Sequence, residues 1–502
     1  MATIAIEYVI VFLSILMLAV AVWATDRFKF FSSARAMTAP AFALTMIPAF
    51  YTIFGTTYQI DNMAYLGVLQ QWWLYAVSWY PAYILGILIG GRIRATGQHL
   101  TLPDRFMHYG AISEVLVSVV SLLYLMPMDV MLMLGVLGVL LTGGALPAGI
   151  FVIVFGLILV AFTAKKGWAG YSIAGVLYFV FMALGVGVAS ITFVNAAGGW
   201  SKILQEAGTA NLTPWFTDFG GFMKLVSQPA NLIWFLMGFA FIIDPMVWQR
   251  FSLAENSKAV QKGMTYAFLF WVFFDITTVF TGLSVVTLGS GGYLDTAMAF
   301  LPATWVGLIL AGNLMVAIAG GSAYLHAGGM IVAQNLSKAL NLLPANTLSS
   351  DKEAKVWYEK GVGILGAMTI VLTLILTVIL PGSPTTLAWE VVSGMLIGGL
   401  AFTIIFGGLL FRDSIPSEAI NFSIVSGLLV TISFLVYGLL NQSASVINVG
   451  GLMVTSLGIT PQAAYGGSPF VDVSRIYGVL ASAIGFAVGY GYYLLFKKEA
   501  TV

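Results

Sequence analysis

Cysteine is absent from the 502 residues, which excludes disulfide scaffolds, thiolate metal sites and cysteine nucleophiles. Histidine occurs three times, at His99, His108 and His326, too sparsely for a histidine-rich metal centre. Charged residues make up 8% of the chain. Soluble domains carry about 25%. A soluble protein of this length could not cover its surface with so few, because Lys, Arg, Asp and Glu are the residues that normally stay outside. The net charge of +1 provides no basic field for a phosphate backbone, so nucleic acid is not an expected partner. What is abundant is apolar: 60% of the residues are hydrophobic. A soluble multidomain protein, a disordered chain and a nucleic-acid binder are excluded together. An all-α polytopic membrane protein is the class that remains.

A membrane-crossing helix needs about 20 mostly apolar residues. The sequence contains thirteen such stretches, near 4–24, 40–66, 70–91, 112–142, 147–164, 170–194, 229–250, 263–288, 302–336, 362–381, 388–411, 418–440 and 474–496. Those at 40–66, 112–142 and 302–336 exceed one bilayer and must tilt, break or continue into solvent. The runs are too long and too continuous for a β-barrel. The first is not a cleavable leader by pattern, since Glu7 is the only charge ahead of Asp26 and no basic residue precedes it. No separate soluble domain interrupts the series, so residues 1–502 form one transmembrane unit.

Lys and Arg set the orientation. With the N-terminus outside, 18 of the 21 fall in inside loops, among them Arg27, Arg92, Lys165, Lys258, Lys355 and Lys497; Lys202, Lys224 and Arg475 fall outside. The bias alternates correctly across every loop. It predicts an outside N-terminus, a cytoplasmic C-terminus and a multi-pass location in the cell membrane.

Polar residues inside the spans are costly and face the bundle interior. Asp129, Asp244, Asp275, Glu390 and His326 are the ionisable ones. Asp129, Asp244 and His326 are the candidates for a proton pathway. For Asp275, and for Glu390 near a span end, a structural hydrogen bond is the favoured explanation. The second span holds Pro48, Gly55 and the cluster Thr52, Thr56, Thr57, Tyr58, Gln59, too polar to face lipid. Helix breaks of this kind free backbone groups that coordinate ions and solutes. Close helix packing through Thr and Gly is the competing explanation. The seventh span repeats the theme with Gly238, Asp244 and Pro245. Two interrupted spans, five apart and opposite in direction, point to a 5+5 inverted repeat over about 40–194 and 229–411, with one leading and two trailing helices. Thr56, Thr57, Gln59, Trp234, Gly238 and Tyr324 are the candidate solute-binding residues.

Three segments carry a family likeness. DPMVWQRFSLAENSKAVQKG (244–263), GGRIRATGQHLTLPDRFMHYG (90–110) and LDTAMAFLPATWVGLILAGNLMVAIAGG (294–321) fall in the order, and on the spans, of the sodium:solute symporters. The chain resembles that family over nearly its whole length. The resemblance implies a leucine-transporter-like fold and secondary uptake of a small solute such as a sugar, amino acid, carboxylate or vitamin. It also implies where a coupling Na⁺ would bind. Matching Gly55-Thr56 to the family's small-Thr pair puts carbonyl ligands at Ala49 and Thr52. On the ninth span, Ile318-Ala319-Gly320-Gly321-Ser322 lacks the family's paired hydroxyls, and Ser322 stands where an Asp is usual. Near Tyr171-Ser172-Ile173 the family's second acidic residue is missing. The implied ion site, Ala49, Thr52 and Ser322, is therefore depleted of side-chain oxygens.

The function expected is a secondary active transporter importing a small organic solute by symport with Na⁺ or H⁺. The alternative is an uncoupled facilitator or solute sensor that keeps the fold. No nucleophile–His–acid set, metal-ligand spacing or phosphate loop supports an enzyme, and no resident cofactor is expected apart from Na⁺ as a coupling ion. The bilayer and a small solute are the expected partners; the oligomeric state is not written in the sequence.

Overall fold

A computed structural model describes residues 6–23, 37–51, 54–66, 72, 79–95, 100–126, 145–209, 238, 240–289, 292–342, 351–375, 385–410, 415–440 and 469–497. Among these, seven helices are long and apolar enough to cross a membrane, and an eighth span exists if the bent pair 39–50 and 55–61 is one. Apart from one isolated backbone bridge, the described chain is helical. It is a multi-pass membrane protein.

The helix α1 (Ile6–Trp23) has no polar face and leaves Phe12, Val20 and Trp23 exposed. In a membrane those side chains meet lipid, where an apolar surface costs nothing. The first interrupted segment comprises α2 (Ala39–Phe50) and α3 (Gln59–Leu66), followed by α4 (Tyr80–Ala95) and α5 (Ala111–Tyr124). The rod α6 (Ala145–Met182) consists of two apolar helices that meet at a kink at Gly167, whose backbone is not helical (φ 53°). That left-handed backbone favours glycine, and it falls beside Lys165-Lys166, the loop expected from the sequence. The rod continues through a π-helical turn into α7 (Ala189–Ala196), and α8 (Trp200–Thr209) follows.

The second interrupted segment comprises α9 (Ala240–Ile243) and α10 (Pro245–Leu253). Then come α11 (Ser257–Leu288), α12 (Tyr293–Phe300) and α13 (Ala303–Ile331). The last runs through a π turn into α14 (Ser337–Ala339). Finally α15 (Asp351–Leu374), α16 (Thr385–Thr403), α17 (Ser417–Leu440) and α18 (Pro469–Phe496) complete the chain. Every residue of α13 from Ile309 to Ile331 is buried, so it is the central post of the bundle. An apolar helix with no polar face belongs in the core, or across lipid, and this one lies in the core. Close approach makes this feasible: the backbones of Gly185 and Gly312 touch, with no room for a Cβ on either. The long stretch at 302–336 does not break. It continues as helix to Ala339, about 55 Å by helical rise.

Candidate functional site

Both spans expected to break are interrupted, and they touch at their breaks. In the first, Tyr51 ends α2 with its N–H on the Ile47 carbonyl, and a π turn over Phe54–Tyr58 restarts the chain into α3. The axes on either side differ by 73°. In the second, Asp244 leaves helical geometry (φ −66°, ψ 122°) and its own carboxylate caps α10 by accepting from Met246 N–H at 2.6 Å. Pro245 at the first helical position needs no N–H partner, so an Asp-Pro pair both stops one helix and starts the next. The Phe50 and Phe241 rings, each near its break, meet edge to face at 4.8 Å.

Of the polar cluster on the first break, Thr56 and Thr57 converge on Asn313 of α13: Thr57 Oγ1 donates to its Oδ1 at 2.8 Å and Thr56 Oγ1 at 3.2 Å. Asn313 Nδ2 donates to the Ile309 carbonyl at 2.9 Å. Gln59 is buried and its Nε2 has no hydrogen-bond partner, which leaves a donor available inside the bundle. Asn313 was not selected from the sequence. The available signal was an amide within the otherwise apolar run 303–321. Gly238 is buried. Tyr324 lies edge-on to Tyr124 at 6.2 Å, and Tyr124 OH donates to Asp244 Oδ2 at 3.1 Å. Tyr324 and Asp244 therefore belong to one neighbourhood. Thr52, Asp129 and Trp234 lie outside the described residues.

The residues matched to a Na⁺ site have a mixed geometry. Ala49 is fully buried. Ser322 Oγ donates to the Ile318 carbonyl at 2.7 Å, with the Ala319 carbonyl at 3.2 Å, so its proton is spent within its own helix and its oxygen remains an acceptor. One turn before Ala49, the Thr45 carbonyl accepts from Tyr171 OH at 2.8 Å and from Arg250 Nη2 at 3.3 Å, while Arg250 Nη2 also donates to Tyr171 at 2.9 Å. A fully buried guanidinium thus joins α2, α6 and α10 beside the expected ion position. It is a permanent cation and repels a mobile one. Tyr171 is where the family's missing acidic segment was matched, and its hydroxyl accepts from Arg250. Among the described residues, no three His, Asp or Glu side chains converge as a metal site.

His326 belongs elsewhere. Its Nδ1 lies 2.7 Å from Tyr358 OH, which donates to the Thr163 carbonyl at 3.0 Å. With that phenol proton committed, Nδ1 carries the hydrogen and donates. The chain of bonds ties α13 to α15 and α6. Beyond the break, Met37 N–H donates to the Leu253 carbonyl at 3.2 Å, Glu255 N–H to the Met37 carbonyl at 3.0 Å, and Arg94 Nε to the Ala254 carbonyl at 2.6 Å. These bonds fasten the N-terminal end of the first interrupted segment to the C-terminal end of the second. An apolar cavity of about 310 Å³ between α5, α14 and α15 is lined by Leu122, Met126, Leu336, Trp357 and Leu365.

The sequence matches no family model and no curated protein. Solved structures do match. A Na⁺-coupled sialic acid symporter in a substrate-bound outward-open state superposes with a TM-score of 0.66 at 14% identity, over 96% of this chain and 98% of that one. Mhp1, a nucleobase-cation-symport-1 family transporter in a closed conformation with bromovinylhydantoin bound, superposes with a TM-score of 0.57 at 14% identity, over 93% and 97%. At such identity the likeness establishes the fold, which is the leucine-transporter-like fold expected from the sequence.

Proposed function

We propose that the chain is a secondary active transporter that imports a small organic solute by symport with a cation. The observation that carries this reading is the pair of interrupted helices touching at their breaks, with Thr56, Thr57 and Gln59 turned into the bundle and α13 supplying Asn313 opposite them. Broken helices in contact at mid-bundle are the architecture by which alternating access surrounds a solute. In this reading the chain crosses the cell membrane thirteen times, N-terminus outside. Its repeats cover about 40–194 and 229–411 in opposite orientation. Thr56, Thr57, Gln59, Trp234, Gly238 and Tyr324 face the solute. No Lys or Arg stands on the first break. An anionic solute would rely on helix N-termini and hydroxyls, and a neutral or zwitterionic one suits the cluster better.

Sodium would bind between Ala49, Thr52 and Ser322; a proton would use Asp129, Asp244 or His326. The depleted hydroxyls on α13 and the guanidinium beside Thr45 weigh against sodium at that position. An uncoupled facilitator is the alternative that the same facts favour. A thermal-shift screen of the purified protein against sugars, amino acids, carboxylates and vitamins, with and without Na⁺, selects a solute. Its uptake into proteoliposomes under separate Na⁺ and pH gradients then tests the reading. Accumulation driven by either gradient supports symport. Equilibration without accumulation supports the facilitator, and a failure of every solute to enter would reject both.

A further inference from the structure

Asp275 lies within α11, fully buried, and was passed over as a structural residue in the sequence. Two phenols from two other elements converge on it. Tyr51 OH donates to Oδ1 at 2.8 Å and Tyr80 OH to Oδ2 at 2.8 Å. Tyr51 OH is also 3.2 Å from Thr278 Oγ1, and Thr278 Oγ1 lies 3.0 Å from the backbone carbonyl of Asp275 itself. Trp271, one turn earlier, packs edge-on against the Tyr51 ring at 4.6 Å. Tyr83 of α4 sits within electrostatic reach of both Asp275 and Arg250. The groups facing Asp275 are Tyr51 from the first break, Tyr80 and Tyr83 from α4 and Trp271 from α11, and no salt bridge joins it to a cation among the described residues.

A carboxylate taken out of water without a partner cation is costly, whereas the neutral acid is not. This site satisfies both forms. As a carboxylate, Asp275 accepts from Tyr51 and Tyr80. As an acid, its Oδ1–H donates to the Tyr51 oxygen, the Tyr51 proton turns to Thr278 Oγ1, and the Thr278 proton goes to the Asp275 carbonyl. Each donor keeps an acceptor in both states, and only hydroxyl hydrogens rotate. A metal ion there would have to push both phenol protons off the carboxylate. Tyr51 is also the first residue of the break: Gly55 N–H donates to its carbonyl at 2.9 Å, and its ring covers the Gly55 Cα, leaving no room for a Cβ.

We propose that Asp275 is a proton-binding site and that Tyr51 hands its protonation state to the first interrupted helix, so that a proton biases the transport cycle. The last clause rests on the transporter reading; the proton site does not. The test uses the full chain in lipid nanodiscs. Infrared difference spectra across about pH 5 to about pH 9 follow the carbonyl band of a protonated carboxylic acid, shifted by deuteration. The band should titrate in the native chain and vanish in Asp275→Asn, with Asp275→Glu as the variant that restores it if Asn fails to fold. Tyr51→Phe removes the charge-assisted bond to the carboxylate, which outweighs the neutral acceptor it also takes from the acid, and Thr278→Val removes an acceptor needed by the acid alone. Their midpoints should move in opposite directions, each by about one to two pH units. Because the chain has no natural cysteine, Met37→Cys at the bridge to Leu253 reports on the helix by maleimide labelling. Its labelling rate should change at least about threefold over the same pH range, and lose that change in the Asp275→Asn background. The proposal is overturned if no band is lost in Asp275→Asn, or if the two relay variants move the midpoint the same way. A band that titrates while labelling ignores pH would defeat the link to the helix and keep the proton site. Failure of the transport assay alone would leave both readouts standing.

Discussion

The two interrupted helices reach the same shape by different means. The second break is built locally: Asp244 caps the helix that it begins, Pro245 occupies the position where its missing N–H costs nothing, and one further bond from Tyr124 completes the carboxylate. Among its described residues the first break has no such Asp-Pro device. Pro48 lies inside α2, ahead of the interruption, and Thr56, Thr57 and Tyr51 take their partners from α13 and α11. A break held by its own sequence keeps its geometry whatever its neighbours do. A break held by partners on other helices changes when those partners move. The comparison predicts that the first segment is the adjustable one and the second the fixed reference.

The largest effect expected on this comparison is at Asp244. Asp244→Ala removes the cap and the bond that Tyr124 OH makes to the carboxylate, and should cost about 2–3 kcal/mol of stability from cap loss and a lost hydrogen bond to a charged group. Asp244→Asn keeps a capping oxygen and should lose less. Detergent-solubilised unfolding monitored by tryptophan fluorescence measures both, and equal losses would show that the cap is not what sets the second break. Next comes Gly55→Ala, whose Cβ would fall 2.6–2.9 Å from the Tyr51 ring. Overpacking of this kind costs about 1–3 kcal/mol. The more telling result is a conformational one: labelling of Met37→Cys should change in the Gly55→Ala background and stay at the native rate in Asp244→Asn. The reverse pattern would invert the assignment of the adjustable segment.

A double-mutant cycle between Thr57→Val and Asn313→Ala should return a coupling of about 1 kcal/mol, the size of a buried hydrogen bond. No coupling would mean that α13 does not hold the first break. The smallest effect is at the surface. Lys497, on the surface, binds Glu418, and this contact raises its pKa above the ordinary lysine range. A raised lysine contributes below its unfolded pKa and loses that contribution only as pH climbs through the raised value. Lys497→Ala should therefore shift the unfolding midpoint no more than replicate scatter, with no change between about pH 5 and about pH 9. A clear shift would show that the trailing helices α17 and α18 depend on more than their packing.

Much of the site was legible in residue patterns and some was not. Asp-Pro at 244–245 and five polar residues within 52–59 announced both interruptions, because a proline and a cluster of hydroxyls are incompatible with a lipid-facing helix. Asn313 and Asp275 were not selected, although each is visible as a polar residue in an apolar run. A single polar residue does not reveal whether it meets a partner or merely a carbonyl of its own helix. Ser322 shows the difference: its proton goes to the Ile318 and Ala319 carbonyls one turn back, while its oxygen keeps the lone pairs with which an ion would be met. His326 was weighed as a proton carrier, and the structure commits its Nδ1 to Tyr358.

What the sequence determined by itself is the class of solvent. Apolar runs of bilayer length, few charges and basic loops follow from the cost of placing polar groups in hydrocarbon, and that cost is paid residue by residue. What only the tertiary structure decided is pairing. Tyr51 and Asp275 are separated by 224 positions, Thr57 and Asn313 by 256, and Arg250 meets Thr45 across 205. A hydrogen bond depends on distance and direction in space, and no local pattern carries either for residues that the fold brings together from different helices.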